Sequence, residues 1–209
     1  MKRKKLLIAL PVFFFLVNVG AGQSIVGSAH DFSTQSWNTT GEICICCHTP
    51  HHSDVSVPEA PLWDHQNTVA TFQLYNSPTF NGAGTITQPS GNSKLCLSCH
   101  DGTVALENFG NTHNGTHYET GLGNEGTDLR DDHPISFIYD AALAAADGKL
   151  FNPVTHPSGI NGGTITSTML FNNKMECASC HDVHNTTGIL HLLRKSNVAS
   201  ALCLTCHNM

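Results

Sequence analysis

Apolar residues are concentrated in one run near the start of this chain and are scattered elsewhere. The run covers residues 6–19, follows four basic residues and ends at small residues. This order predicts a secretory signal over residues 1–22, with cleavage near Ala21 or Gly22. An uncleaved membrane anchor is the alternative, but Pro11 and the shortness of the run oppose a stable spanning helix.

The remaining chain shows little regular periodicity, and one segment stands out as helical. Residues 140–147 are rich in alanine, which favours a helix. Asp140 is a suitable N-cap, and Gly148 is a suitable stop signal. The sequence therefore predicts a short helix between these two residues.

Other elements are predicted to be short. Residues 197–206 are expected to form a helix that leads into the end of the chain, and residues 135–138 and 164–168 are expected to form short strands. Glycine, asparagine, threonine and serine are abundant between these segments. The expected fold class is mostly irregular coil with a few short α-helices and minimal β-structure.

Four copies of the motif C-x-x-C-H provide the candidate chemistry. The cysteine pairs are Cys44 and Cys47, Cys96 and Cys99, Cys177 and Cys180, and Cys203 and Cys206, followed by His48, His100, His181 and His207. This motif is the attachment signal for c-type haem, because cysteines at this spacing reach both vinyl groups and the histidine lies over the ring. We expect four covalent haem c groups, with the chain wrapped around them as a core.

Three other uses of paired cysteines are alternatives to haem attachment. Eight cysteines would serve two tetrahedral zinc sites, exported chains often form disulfides, and C-x-x-C also occurs in thiol redox proteins. None of these explains a histidine in the same place after all four pairs. Haem attachment is therefore the favoured interpretation.

Export and charge restrict the partners. Without the four basic residues of the signal, six basic residues remain against sixteen acidic ones, so the mature chain carries about −10. Nucleic-acid binding requires a basic face and is not expected. An exported location suits covalent haem, and the cell surface or extracellular space is expected, with the periplasm as the alternative.

The motifs form two similar pairs, which indicates a diverged duplication. The expected domain at residues 23–209 then consists of two dihaem units, about 23–110 and 127–209. In each unit the first motif has a histidine three residues after its last residue, namely His51 and His184. Another histidine, His30 or His133, lies upstream of each pair.

These four histidines are the candidate second axial ligands. From the duplication we expect His30 to serve the first haem, His51 the second, His133 the third and His184 the fourth. His52 is the main rival of His51, and His156 that of His133. Methionine ligation is disfavoured because the methionines have no matching positions in the two units. Two histidines on each iron predict low-potential electron carriers.

Cys46 is the odd ninth cysteine and lies inside the first motif. The spacing assigns attachment to Cys44 and Cys47. A small buried residue is the favoured interpretation of Cys46, and a free thiol or an intermolecular bridge is the alternative.

Several segments together carry a family resemblance. They are residues 27–32 (Gly-Ser-Ala-His-Asp-Phe), 41–43, 49–52, 61–63, 95–103, 132–137 and 202–207. In these segments the chain resembles the multihaem cytochromes with doubled C-x-x-C-H motifs, and its motif count and length are most similar to the OmcE-type extracellular tetrahaem cytochromes. The resemblance implies end-to-end filaments with a continuous haem row and a histidine shared between subunits, for which His30 is the expected donor.

The expected function is that of an electron conduit, not an enzyme. The implied partners are further copies of this chain, upstream outer-membrane or periplasmic cytochromes, and external electron acceptors such as metal oxides. A monomeric periplasmic shuttle to a terminal reductase is the alternative. An enzyme of the nitrite or hydroxylamine class is disfavoured, since it needs an open iron position and histidines are in surplus.

Overall fold

Short elements joined by long irregular segments make up this fold, which confirms the expected fold class. The computed structural model describes residues 25–209, so the predicted signal segment lies outside the described residues. The α-helices are α1 (Gly91–His100), α2 (Ala141–Asp147), α3 (Ile165–Thr168) and α4 (Cys177–Cys180). Turns of 3-10 helix lie at Cys44–Cys46, Ala83–Thr85, Leu190–Leu192, Val198–Ser200 and Cys203–Thr205.

Two small strand ladders tie distant parts of the chain together. β1 (Gln73–Leu74) runs parallel to β2 (Asp128–Leu129), and β3 (Phe137–Ile138) runs antiparallel to β4 (Lys174–Met175). Each strand has two residues, so the ladders add few hydrogen bonds. Their role is to fix which segments lie side by side.

Helix α2 confirms the clearest local prediction. The Asp140 side chain accepts a hydrogen bond from the backbone N–H of Leu143 at 2.8 Å, as an N-cap does. The helix ends at Gly148, whose φ of 72° lies in the left-handed region. Local capping signals therefore suffice to define this element.

The strand predicted at residues 164–168 is wrong, because Ile165–Thr168 form α3 and Thr164 is its N-cap. The Thr164 hydroxyl accepts from the backbone N–H of Ser167, and the Ser167 hydroxyl accepts from the N–H of Thr164. This reciprocal cap satisfies the free donors of the first turn and favours a helix over a strand.

The other two predicted elements are correct only in part. Residues 135–138 form a strand at Phe137–Ile138 alone. The helix expected over residues 197–206 is replaced by two 3-10 turns. Ala199, with φ of 52°, and Ser200, with φ of 62°, interrupt the helical geometry there.

The largest apolar cluster lies in the C-terminal half. Tyr139, Ile165 and Met169 are at most 1% exposed and pack with Met175. The Tyr139 hydroxyl donates to the backbone carbonyl of Phe151 at 2.6 Å, so its polar end is satisfied.

Helix α1 contributes to two further small clusters. Leu95 packs with Trp63 and Val57, whereas Leu97 packs with Phe72 and Leu129. Since α1 carries the second motif, both clusters hold this motif in place. No helix among residues 25–209 has the length and apolar character to cross a membrane.

Gly148→Ala is expected to lower the free energy of unfolding by about 1 kcal/mol, because alanine is strained at positive φ. Gly84→Ala is the matched control: both positions have open space around a new Cβ, but Gly84 has no positive φ. Guanidinium denaturation followed by circular dichroism measures both variants. Equal stability of the two variants would contradict the capping role of Gly148.

Candidate haem-binding site

A helical turn carries each of the four motifs. Motif one lies on the turn at Cys44–Cys46, motif two at the end of α1, motif three on α4 and motif four on the turn at Cys203–Thr205. Side chains three residues apart on such a turn lie on one face. The two cysteines of each motif are therefore placed to reach one porphyrin edge.

The ring orientation of three motif histidines is fixed by backbone carbonyls. Nδ1 of His48 donates to the Pro61 carbonyl at 2.7 Å, and Nδ1 of His100 to the Gly123 carbonyl at 2.5 Å. His181 donates in the same way to the His191 carbonyl at 3.0 Å. With Nδ1 protonated, Nε2 keeps its lone pair and is the nitrogen that can bind a metal.

The first motif of each pair is held by a returning segment. Around His48, Thr49 N–H donates to the Leu62 carbonyl and Asp64 N–H donates to the Cys47 carbonyl, both at 2.9 Å. The segment at Leu62 directly follows Pro61, the carbonyl partner of His48.

The third motif repeats this arrangement with different residues. Asp182 N–H donates to the Leu192 carbonyl at 2.6 Å, and Arg194 N–H donates to the Cys180 carbonyl at 2.9 Å. Leu192 again directly follows the carbonyl partner of the motif histidine, His191. The two motif pairs thus share a local architecture that their sequences do not fully reveal.

Three motif histidines each face a second imidazole. The ring centroids are 6.2 Å apart for His48 and His184, 5.8 Å for His100 and His30, and 6.5 Å for His207 and His133. A metal–imidazole bond is about 2 Å long, so two imidazoles on opposite sides of one iron have centroids roughly 6 Å apart. The spacing of all three pairs fits a six-coordinate haem iron.

These pairs differ from the assignment expected from the duplication. His30 faces the second motif and not the first, His133 faces the fourth and not the third, and His184 faces the first and not the fourth. The expectation placed each ligand in its own unit. In the structure His30 and His133 each face the second motif of their own unit, whereas His184 faces a motif of the other unit.

His51, the expected ligand of the second haem, and His181, the histidine of the third motif, have no imidazole partner within the described residues. His51 and His181 are both exposed, and neither has a ring contact with another imidazole in residues 25–209. Nδ1 of His181 is nevertheless oriented like that of His48. One motif histidine and one candidate ligand are therefore left over.

His30 is suited to metal binding by its surroundings. Burial, followed by the nearby His100 and His181, lowers the pKa of His30 to about 4. The ring is therefore neutral at pH 7 and retains a lone pair. Its Nδ1 is buried and has no hydrogen-bond partner in the described residues.

The remaining histidines have other surroundings in the structure. Both ring nitrogens of His65, which is 1% exposed, face backbone carbonyls. Nδ1 of His117 donates a hydrogen bond to the Glu107 carboxylate at 2.7 Å, and His156 stacks on Phe151 with ring centroids 3.7 Å apart. His52 and His113 line an open cleft of about 350 Å³ beside Trp63.

The attachment cysteines of successive motifs lie close together. The thiols of Cys96 and Cys177 lie close enough to shift each other's pKa, upward for Cys96 and downward for Cys177, so the second and third motifs are neighbours. Burial, followed by the nearby Cys47, raises the pKa of Cys99, so the first and second motifs are also neighbours.

The third and fourth motifs complete this order. Burial and the nearby Cys203 raise the pKa of Cys180 to about 11, and burial and Cys180 raise that of Cys206 to about 12. The four attachment points therefore follow one another in space in the order of the chain.

Cys46 packs as a buried residue. It is 2% exposed, and the Asn38 amide donates to its sulfur at 3.6 Å. Burial, with the neighbouring Cys47, raises its pKa to about 12, which keeps the thiol protonated. All nine cysteines are free thiols, so the motif sulfurs are available for thioether bonds.

The residues present therefore fit covalent haem, and their chemistry is that of a multihaem c-type cytochrome. In agreement, residues 170–209 match the protein family described as "Doubled CXXCH motif". This match covers the third and fourth motifs and supports c-type haem binding and electron transfer. No curated protein matches the chain.

His184→Ala is expected to remove one low-spin EPR signal and to create one high-spin iron. The rings of His48 and His184 are within 15° of parallel, whereas those of His133 and His207 are 80° apart. Parallel imidazoles split the iron d orbitals more than perpendicular ones do, so the two irons give different signals.

The lost signal should be the near-parallel type in His184→Ala and the near-perpendicular type in His133→Ala. His156→Ala is the control, since its ring stacks on Phe151. Loss of the same signal in both ligand variants would overturn these pairings.

Proposed function

We propose that this chain is an exported four-haem c-type cytochrome that carries electrons to acceptors outside the cell. The main support for this proposal is the set of imidazole pairs, because three motif histidines each face a second histidine at a distance that fits two imidazoles on one iron. Such sites leave no position for a substrate and are therefore suited to electron transfer.

The protein fixes the imidazoles and the attachment points. Backbone carbonyls orient His48, His100 and His181, and the attachment cysteines follow one another across the molecule. When bound, haem supplies one-electron oxidation and reduction at iron. Histidine on both sides gives lower potentials than histidine with methionine, which suits respiration to weak external oxidants.

The haem count has a direct test. Intact-mass spectrometry of the exported protein should show the chain without residues 1–22 plus four haems, one for each motif. Cys46→Ala should keep all four, because Cys46 is buried beside Asn38 and takes no part in attachment. Colourless protein, or zinc at the motif sulfurs, would contradict the proposal.

The unpaired histidines support polymerisation. His181 has a ring orientation suited to iron but no imidazole partner in the described chain, and His51 is an exposed imidazole without a motif partner. A second copy of the chain can supply His51 to the His181 site, and repetition of this contact makes a filament. His30 is a weaker candidate for the shared ligand, because it faces His100 in the same chain.

In this arrangement, assembly and complete ligation are one event, since the interface forms through a metal–ligand bond. The filament would lie at the cell surface or outside it. Upstream periplasmic or outer-membrane cytochromes would supply electrons, and metal oxides would accept them.

His51→Ala should abolish filaments in electron micrographs of secreted material and should leave one high-spin iron per chain. His52→Ala is the neighbouring control and should polymerise normally, since both residues are exposed and adjacent. Monomers in the unmodified protein would instead favour a periplasmic shuttle. Ligand binding at the His181 iron of the unmodified protein would favour an enzyme.

A further inference from the structure

A buried carboxylate lies where the two motif pairs meet. Glu176 is 2% exposed and directly precedes Cys177, the first attachment cysteine of motif three. Its Oε2 accepts hydrogen bonds from the hydroxyls of Ser93, in α1, and Ser136, at 2.9 Å for the latter. Both serines are at most 1% exposed.

The directions of these hydrogen bonds are determined by the backbone. Ser93 Oγ accepts from Cys177 N–H at 2.9 Å, and Ser136 Oγ accepts from Ser90 N–H at 3.1 Å. Each serine therefore has its own proton free to donate to Glu176. Burial raises the pKa of Glu176, and the two hydroxyl donors on one oxygen oppose this rise because they stabilise the ionised carboxylate.

The same contacts join motif two to motif three. Ser93 belongs to the helix that carries Cys96, and it bonds both Glu176 and the backbone of Cys177. The thiols of Cys96 and Cys177 are close neighbours, and the nearby Glu176 charge opposes the ionisation of both. Lys174 is the nearby cation, and its amine donates to Ser90 at 2.9 Å.

We propose that Glu176 is a positioning and tuning residue for the junction between the second and third haems. Through Ser93 it holds motif three against motif two, and its buried negative charge lowers the potentials of the two haems attached there. A buried charge is screened little by water, so it stabilises ferric iron next to it. This inference rests on the proposed electron-transfer function.

An EPR-monitored redox titration of the exported protein tests the inference. Glu176→Gln is expected to raise the midpoint potentials of two components. The near-parallel signal assigned to His48 and His184 and the near-perpendicular signal assigned to His133 and His207 should keep their midpoints. A purely structural role would leave all midpoints in place or move all four together, and either result overturns the tuning role.

Two further variants separate the effect of the buried charge from misfolding and from a non-specific effect of charge. The double variant Ser93→Ala and Ser136→Ala removes both hydroxyl donors from the buried Glu176 carboxylate and leaves only backbone donors. The neutral form of Glu176 is then favoured further, so the same two midpoints should rise. Glu59→Gln is the matched control, because Glu59 lies near Gly91 as Glu176 does but is exposed to solvent. The midpoint potentials of all haems should stay unchanged in this variant. A shift in Glu59→Gln equal to that in Glu176→Gln would overturn the argument from burial.

Different results would contradict the proposed function and this inference. An unmodified chain with fewer than four haems contradicts the function. A chain with four haems whose midpoints do not respond to Glu176→Gln or to the double serine variant contradicts only the role of Glu176.

Discussion

The hydrogen bond from imidazole Nδ1 to a backbone carbonyl is the interaction on which the site depends. A histidine after a C-x-x-C pair can present either ring nitrogen, and only the fixed tautomer presents Nε2. In His48 and His181 the carbonyl comes from a segment that returns past the motif and pairs with it. A few backbone hydrogen bonds thus select the ligand atom in a chain with little regular structure. The cost of ordering such loops is met when the cofactor binds, because ligation and folding are coupled.

The second constraint is the interleaving of the two halves. His184 belongs to the second predicted unit but faces His48 in the first, and β1 pairs with β2 across the same division. The buried carboxylate of Glu176 is satisfied by Ser93 in the other half. A buried charge that loses its partner is expensive, so the halves stabilise each other and neither is complete alone. This mutual dependence keeps the attachment points at fixed spacing, which electron transfer requires.

Local signals were predictable from the sequence, whereas pairings through space were not. The C-x-x-C-H spacing and the cap at Asp140 each lie within a few residues, so pattern and chemistry suffice for them. The strand predicted at residues 164–168 is wrong because β-branched residues favour strands on average, whereas the reciprocal cap between Thr164 and Ser167 favours a helix here. The repeat predicts four candidate second ligands, but it does not determine which motif histidine each of them faces, because that depends on contacts between distant segments. The units themselves, about 23–110 and 127–209, remain a prediction.

Burial decides which of the many acidic residues affects the irons. The chain has sixteen, and the sequence does not distinguish among them. An exposed carboxylate is surrounded by water and salt, so its field decays over roughly 10 Å. Among the described residues Asp101 is 4% exposed and Glu176 is 2% exposed, and both lie beside an attachment motif. Asp101 accepts from Thr103 N–H at 2.7 Å and follows motif two, whereas Glu176 bridges motifs two and three. Acidic residues therefore affect the haem reduction potentials chiefly at the centre of the row of motifs, where a buried carboxylate is not screened by water and salt.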